Sequence, residues 1–78
     1  MTAALSADQL NFLALHVKRH VFMWQWLFGD SMLRAITNRP TIAIRRAELD
    51  DLIERGLMCR GDGVADVYPT QAGRECIA

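Results

Sequence analysis

Four arginines, Arg34, Arg39, Arg45 and Arg46, fall between residues 34 and 46, with Thr41 among them. A guanidinium is planar and always charged, and its N–H fork fits a phosphate or the edge of a guanine bidentately. The chemistry these residues suggest is anion recognition, with Arg60 as a further contact. Arg46 and Asp50 are four apart, so the same stretch also reads as a solvated helix start carrying one intrahelical ion pair. His16 and His20, four apart as well, have the spacing to share a metal on one helix face, but no third ligand lies near them in sequence. Cys59 and Cys76 are too few and too far apart for a disulfide framework or a zinc ribbon, and are expected to be reduced, structural thiols. There is no Ser/His/Asp set, no Gly-rich phosphate loop and no carboxylate pair with an obvious cleft. No metal, cofactor or catalytic residue is expected, and the chain is not read as an enzyme.

The elements that must position these arginines belong to one domain spanning 1–78. Hydrophobic residues make up 51% of the chain, enough for one core. So small a domain buries only about 60% of its unfolded surface and often borrows stability from a partner. Nine Lys and Arg balance nine Asp and Glu, unlike a strongly basic nucleic-acid binder. The balance hides a polarity along the chain. Residues 1–47 carry six basic side chains against two acidic, and residues 48–78 carry three against seven. The N-terminal "MTAALSADQL" lacks the basic region of a signal peptide, and every apolar stretch is too interrupted to span a bilayer, so a reducing, cytoplasmic setting is expected.

Ser6 and Gln9 have capping-box spacing, with Leu5 and Leu10 as a hydrophobic staple. Leu10, Leu13, Val17, Val21, Trp24 and Phe28 then recur at helical intervals, which predicts a long first helix over 6–28 stopped by Gly29. A second stripe of Phe12, Leu15, Phe22 and Trp26 makes that helix apolar on two sides, and it is the expected surface for a homodimer. Asp30 or Ser31 is placed to cap a short helix with Met32, Leu33 and Ile36 inside, broken at Asn38-Arg39-Pro40. Another helix is expected from Thr41 to Arg55, ended by Gly56. The alternative for "TIAI" is a short strand, since three of its four residues are β-branched. "LMCRG" and "VADVY" flank Asp62-Gly63, the pattern of a hairpin with a two-residue turn. Thr70 then caps a short C-terminal helix over 70–77.

"ELDDLIERGLM", followed by "GDG" and "VYPTQAGRE", resembles the winged helix-turn-helix family, most closely its MarR-type and related small regulators. The matching residues are Leu52, Gly56 and Leu57, then Tyr68, Thr70, Ala72, Gly73 and Arg74. The resemblance covers roughly residues 30–76. It implies a mainly α fold with a small β-hairpin: three helices with a helix-turn-helix over 31–55, a two-stranded wing over 57–68 and a short C-terminal helix. It also implies that the helix entered after Pro40 reads a DNA major groove. Two features depart from the family. Arg45 stands seven residues before Leu52, where the family has an apolar residue; either the register slips by one or the helix begins only after a "TIAI" strand. The wing offers Arg60 but also Asp62 and Asp66, whose sign is wrong for phosphate.

The expected function is that of a small, sequence-specific transcriptional regulator binding double-stranded DNA as a dimer through Arg34, Arg39, Thr41, Arg45, Arg46 and Arg60. Phe12, Leu15, Phe22 and Trp26 would join the two copies. The alternative is a winged-helix protein–protein module, such as an inhibitor, adaptor or phage accessory protein. The neutral net charge, the acidic wing and the aromatics between residues 12 and 28 favour it.

Overall fold

Ser6 opens the first helix in the reciprocal manner its spacing suggests. Its Oγ accepts a hydrogen bond from the Gln9 N–H at 3.1 Å, and Gln9 Oε1 accepts from the Ser6 N–H at 3.0 Å. Two of the otherwise orphaned donors at the helix start are thereby satisfied. The computed structural model describes residues 4–18, 21, 23–36, 42–63 and 66–77. In it helix α1 runs from Ala7 to Lys18, short of the Phe28 end expected for it.

From Met23 the chain is extended. Strand β1 (Met23–Leu27) turns back through residues 28–31 into β2 (Met32–Ile36), and β3 (Ile42–Arg45) completes an antiparallel sheet in the order β1-β2-β3. Helix α2 (Arg46–Glu54) follows β3 directly. Then come β4 (Met58–Arg60), its antiparallel partner β5 (Val67–Pro69), and helix α3 (Gln71–Ile77).

Three helices with antiparallel sheets of three and two strands form an α+β arrangement. The mainly α, winged helix-turn-helix class expected from the sequence is therefore corrected. The error lies in Met23–Leu27, Met32–Ile36 and Ile42–Arg45, read as helix and found as strand. Trp24 and Trp26, like Leu33 and Ala35, are two apart, and cross-strand pairs Trp24–Ala35 and Trp26–Leu33 put all four on one face. Aromatic and β-branched side chains suit such a pleated, half-buried surface. Gly29 does adopt positive φ, at 76°, but as the centre of a hairpin turn and not as a helix stop. "TIAI" supplies the strand Ile42–Arg45, the arrangement that the misplaced Arg45 also pointed to. The Asn38-Arg39-Pro40 break lies outside the described residues.

The second half follows the local signals more closely. Arg55 caps α2, and Gly56 leaves it at φ 76°. The Gly56 N–H bonds to the Ile53 carbonyl and the Leu57 N–H to the Leu52 carbonyl, both at 3.0 Å. These are the two bonds of a Schellman motif. The hairpin forms, but not with the two-residue turn expected at Asp62-Gly63. Arg60 pairs with Val67, and the Gly61 N–H bonds to the Asp66 carbonyl, so residues 61–66 make a longer connection. Positive φ among the described residues occurs at Phe28, Gly29 and Gly56, not at Asp62 or Gly63. Thr70 Oγ1 accepts from the Gly73 N–H and caps α3.

One core joins these elements: Phe12, Leu13 and Leu15 of α1, Leu33 and Ala35 of β2, Ile44 of β3, Leu49 and Leu52 of α2, and Met58 and Val67 of the hairpin. Among the described residues no helix is long and apolar enough to cross a membrane.

Candidate functional site

The sheet β1-β2-β3 has one inner and one outer face, because side chains alternate along each strand. Trp24, Trp26, Leu33, Ala35, Ile42 and Ile44 point inward and either form the core or pack on it. The cross-strand register puts Met23, Gln25, Leu27, Met32, Arg34, Ile36, Ala43 and Arg45 on the outer face. Met23, Gln25 and Arg45 are exposed there, and the others are half-buried.

The arginines expected to form one positive surface are distributed differently. Arg34 lies mid-strand in β2, with its Nη2 donating to Gln25 Oε1 across the β1–β2 pair. Its Nε–H is sealed from solvent and has no acceptor. Arg45, at the end of β3, is exposed and serves as the N-cap residue of α2 without contributing a side-chain cap. Arg46 opens α2 and turns back toward the chain. It pairs with Asp30, approaches Asp50 at 3.7 Å, and lies 5.7 Å from the Trp26 ring centre. Arg60 reaches the same Asp50 at 3.6 Å. Such half-exposed pairs are individually weak, but they give two of the expected contact residues carboxylates of their own chain. Arg39 and Thr41 lie outside the described residues.

The meeting of Arg46 and Asp30 has a backbone cause. The Arg46 N–H, the first of α2, donates to the Ser31 carbonyl at 2.8 Å and so ties the helix start to the β1–β2 turn. Asp30 is thereby held beside a residue sixteen positions away.

The expected dimer surface is also redistributed. Phe12 is completely buried and Leu15 nearly so, both in the core of their own chain. Trp26 is half-buried on the inner sheet face, and Phe22 lies outside the described residues. The sheet covers the second apolar side of α1, so Phe12 and Leu15 have no surface to offer a second copy.

His16 is a structural residue. Its Nδ1 lies 2.9 Å from the Phe12 carbonyl, which fixes the proton there, and its Nε2 accepts from the Trp24 indole N–H at 3.2 Å. Burial is the main cause of a pKa below the usual 6.5, partly offset by the bond to Phe12. With both nitrogens engaged, His16 has no lone pair for a metal. Among the described residues no three His, Cys, Asp or Glu side chains gather to hold one. Cys59 and Cys76 are free thiols.

A buried polar connection holds α1 to α2. Gln9 Nε2 donates to the Glu48 carbonyl at 3.0 Å and to Asp51 Oδ2 at 2.7 Å, and Asp51 also accepts from Arg55 Nε. Ser6 Oγ donates to Glu48. Part of the acidic run of α2 is thus engaged within the chain.

One residue that the sequence placed in the apolar stripe of a long first helix stands out in a different setting. Phe28, first in the β1–β2 turn, is 80% exposed and has φ 53°. A bulky side chain in the left-handed region is strained, and an aromatic ring in water stabilises nothing by burial. Gln25 between Trp24 and Trp26, and Arg34 between Leu33 and Ala35, are the sequence signals of the outer face, one on each side of the turn at Gly29. Compared with known proteins, the chain matches no family model, no curated protein and no solved structure at a level that shows kinship.

Proposed function

We propose that this chain is a small protein-interaction module whose anchor is Phe28 on the β1–β2 turn. The supporting observation is that ring itself: 80% exposed, on a backbone at φ 53° that disfavours any bulky residue. Strain of this kind persists where the surroundings impose it and clusters at functional sites. Aromatic side chains that fill a partner's pocket carry a large share of interface energy. The zero net charge agrees. The DNA-regulator reading draws less support. Arg46 and Arg60 are paired with Asp30 and Asp50, and Phe12 and Leu15, two of the side chains meant to join two copies, are buried.

Photo-crosslinking tests the proposal. A benzophenone-bearing phenylalanine analogue replaces Phe28 in the full chain, expressed in its native cells, with the same analogue at exposed Arg74 as control. A protease-sensitive adduct from position 28 and none from position 74 is expected. A nuclease-sensitive adduct, or none from position 28, overturns the proposal.

A further inference from the structure

We infer that the outer face of the β1-β2-β3 sheet receives a segment of a partner protein that carries apolar side chains and at least one carboxylate. This rests on the interaction-module reading and specifies the partner's chemistry. The face carries Met23, Leu27, Met32, Ile36 and Ala43, and none of the four larger ones is among the side chains packed on the core. Met23 is 55% exposed. Alternation in a one-sided antiparallel sheet ordinarily turns polar side chains to water, and this face does the reverse at most positions.

Its charged residues are both basic. Arg34 and Arg45 stand on it, and no Asp or Glu of the three strands does. Arg34 is the more informative. Its cross-strand neighbours are Gln25 and Ala43, one nitrogen donates to Gln25, and its Nε–H has lost water without gaining an acceptor. A guanidinium already partly desolvated loses less on meeting a carboxylate, and the resulting charge-assisted bond is strong. Arg45 adds a second cation where a helix start would be better served by Ser or Asp, since its side chain makes no cap. No ion pair within the described residues engages either arginine.

The charge pattern selects the occupant. A second copy laid face to face would set Arg34 and Arg45 against their own equivalents, a repulsion that strengthens as water leaves. Nucleic acid would find two guanidiniums among methionines and aliphatics, with no aromatic ring on the strands between them to stack successive bases, because Trp24 and Trp26 point inward and Phe28 stands apart on the turn. An acidic, apolar protein segment satisfies both the cations and the aliphatic surface.

The test is selection of short random displayed peptides on the immobilised full chain. The enriched peptides are then synthesised with Glu and Asp intact or changed to Gln and Asn. Enrichment of acidic residues beside aliphatic ones is expected. Affinity should fall about tenfold or more on neutralising the peptide, and similarly for Arg34→Gln and Arg45→Ser. Amide shifts on binding should map to Met23, Gln25, Met32 and Arg34. Arg45→Ser also supplies a better cap, so its binding loss will not be confused with unfolding. Selected peptides without acidic enrichment, or binding indifferent to both arginine variants, overturn the inference. If such peptides still shift residues around Phe28, the interaction-module reading stands without it. Duplex DNA or anionic vesicles that bind more tightly than any peptide, with loss in both arginine variants, overturn both readings. Concentration-dependent dimerisation through this face overturns the inference alone.

Discussion

Phe28 brings strain to the fold with little burial in return, which separates folding from binding at a single residue. Asparagine tolerates the left-handed region through its short polar side chain. Phe28→Asn should therefore raise stability by about 0.5–1 kcal/mol, read as a higher urea midpoint with an unchanged slope, while abolishing co-purification of the partner that crosslinking from position 28 identifies. A clear loss of stability would mean that the ring packs on the fold. Arg45 is a parallel case. It occupies the N-cap of α2 with no side-chain bond to the helix, so Arg45→Ser should add about 1 kcal/mol. His16 sets a pH dependence. Its folded pKa lies below the unfolded value of 6.5, so the unfolded chain binds the proton more tightly. Stability from this group is fully present above about pH 6.5 and is lost as pH falls toward the depressed value. The urea midpoint should drop between about pH 7.5 and about pH 5.5, and His16→Gln should flatten that part of the curve. A midpoint that rises on acidification would contradict the assignment of a neutral ring donating to Phe12 and accepting from Trp24.

Among the elements, α3 lies against the Leu57 backbone between α2 and β4 at Gly73. A Cβ there would lie 2.1 Å from the Leu57 carbonyl oxygen, a backbone atom that cannot simply swing aside. Helix propensity alone favours alanine by about 1 kcal/mol. The steric term should reverse the sign, so Gly73→Ala is expected to destabilise by about 2–3 kcal/mol, measured by urea unfolding; a gain would show that α3 shifts freely. The elements differ in how legible they were. Ser6 with Gln9, Gly56 with Leu57, and Thr70 act through neighbours a few residues away, so sequence spacing was enough to find the α1 start, the α2 exit and the α3 cap. Residues 23–36 are apolar at so many positions that helical and strand periods both fit them. Gly29 was equally suited to end a helix or to centre a hairpin. Only the cross-strand partners decide, and those lie up to thirteen positions apart. The pairing of Arg46 with Asp30 was hidden for the same reason, since it depends on the Ser31 carbonyl meeting the start of α2.

At the scale of the whole molecule, ion pairs cancel part of the polarity of charge along the chain. Asp50 sits between Arg46 and Arg60, and Asp30 holds Arg46, so basic residues from both halves are met within the chain. The part left over is a sheet face with Arg34, Arg45 and a set of aliphatic and methionine side chains, beside a turn carrying an exposed phenylalanine. The fold around it is ordinary in its means: one core, two capped helices and a short hairpin. Whether the surface meets protein or nucleic acid decides the account, and crosslinking from position 28 in native cells asks that directly. An adduct that protease removes and nuclease leaves intact is expected. An adduct removed by nuclease, or silence at position 28, would contradict the interaction-module reading.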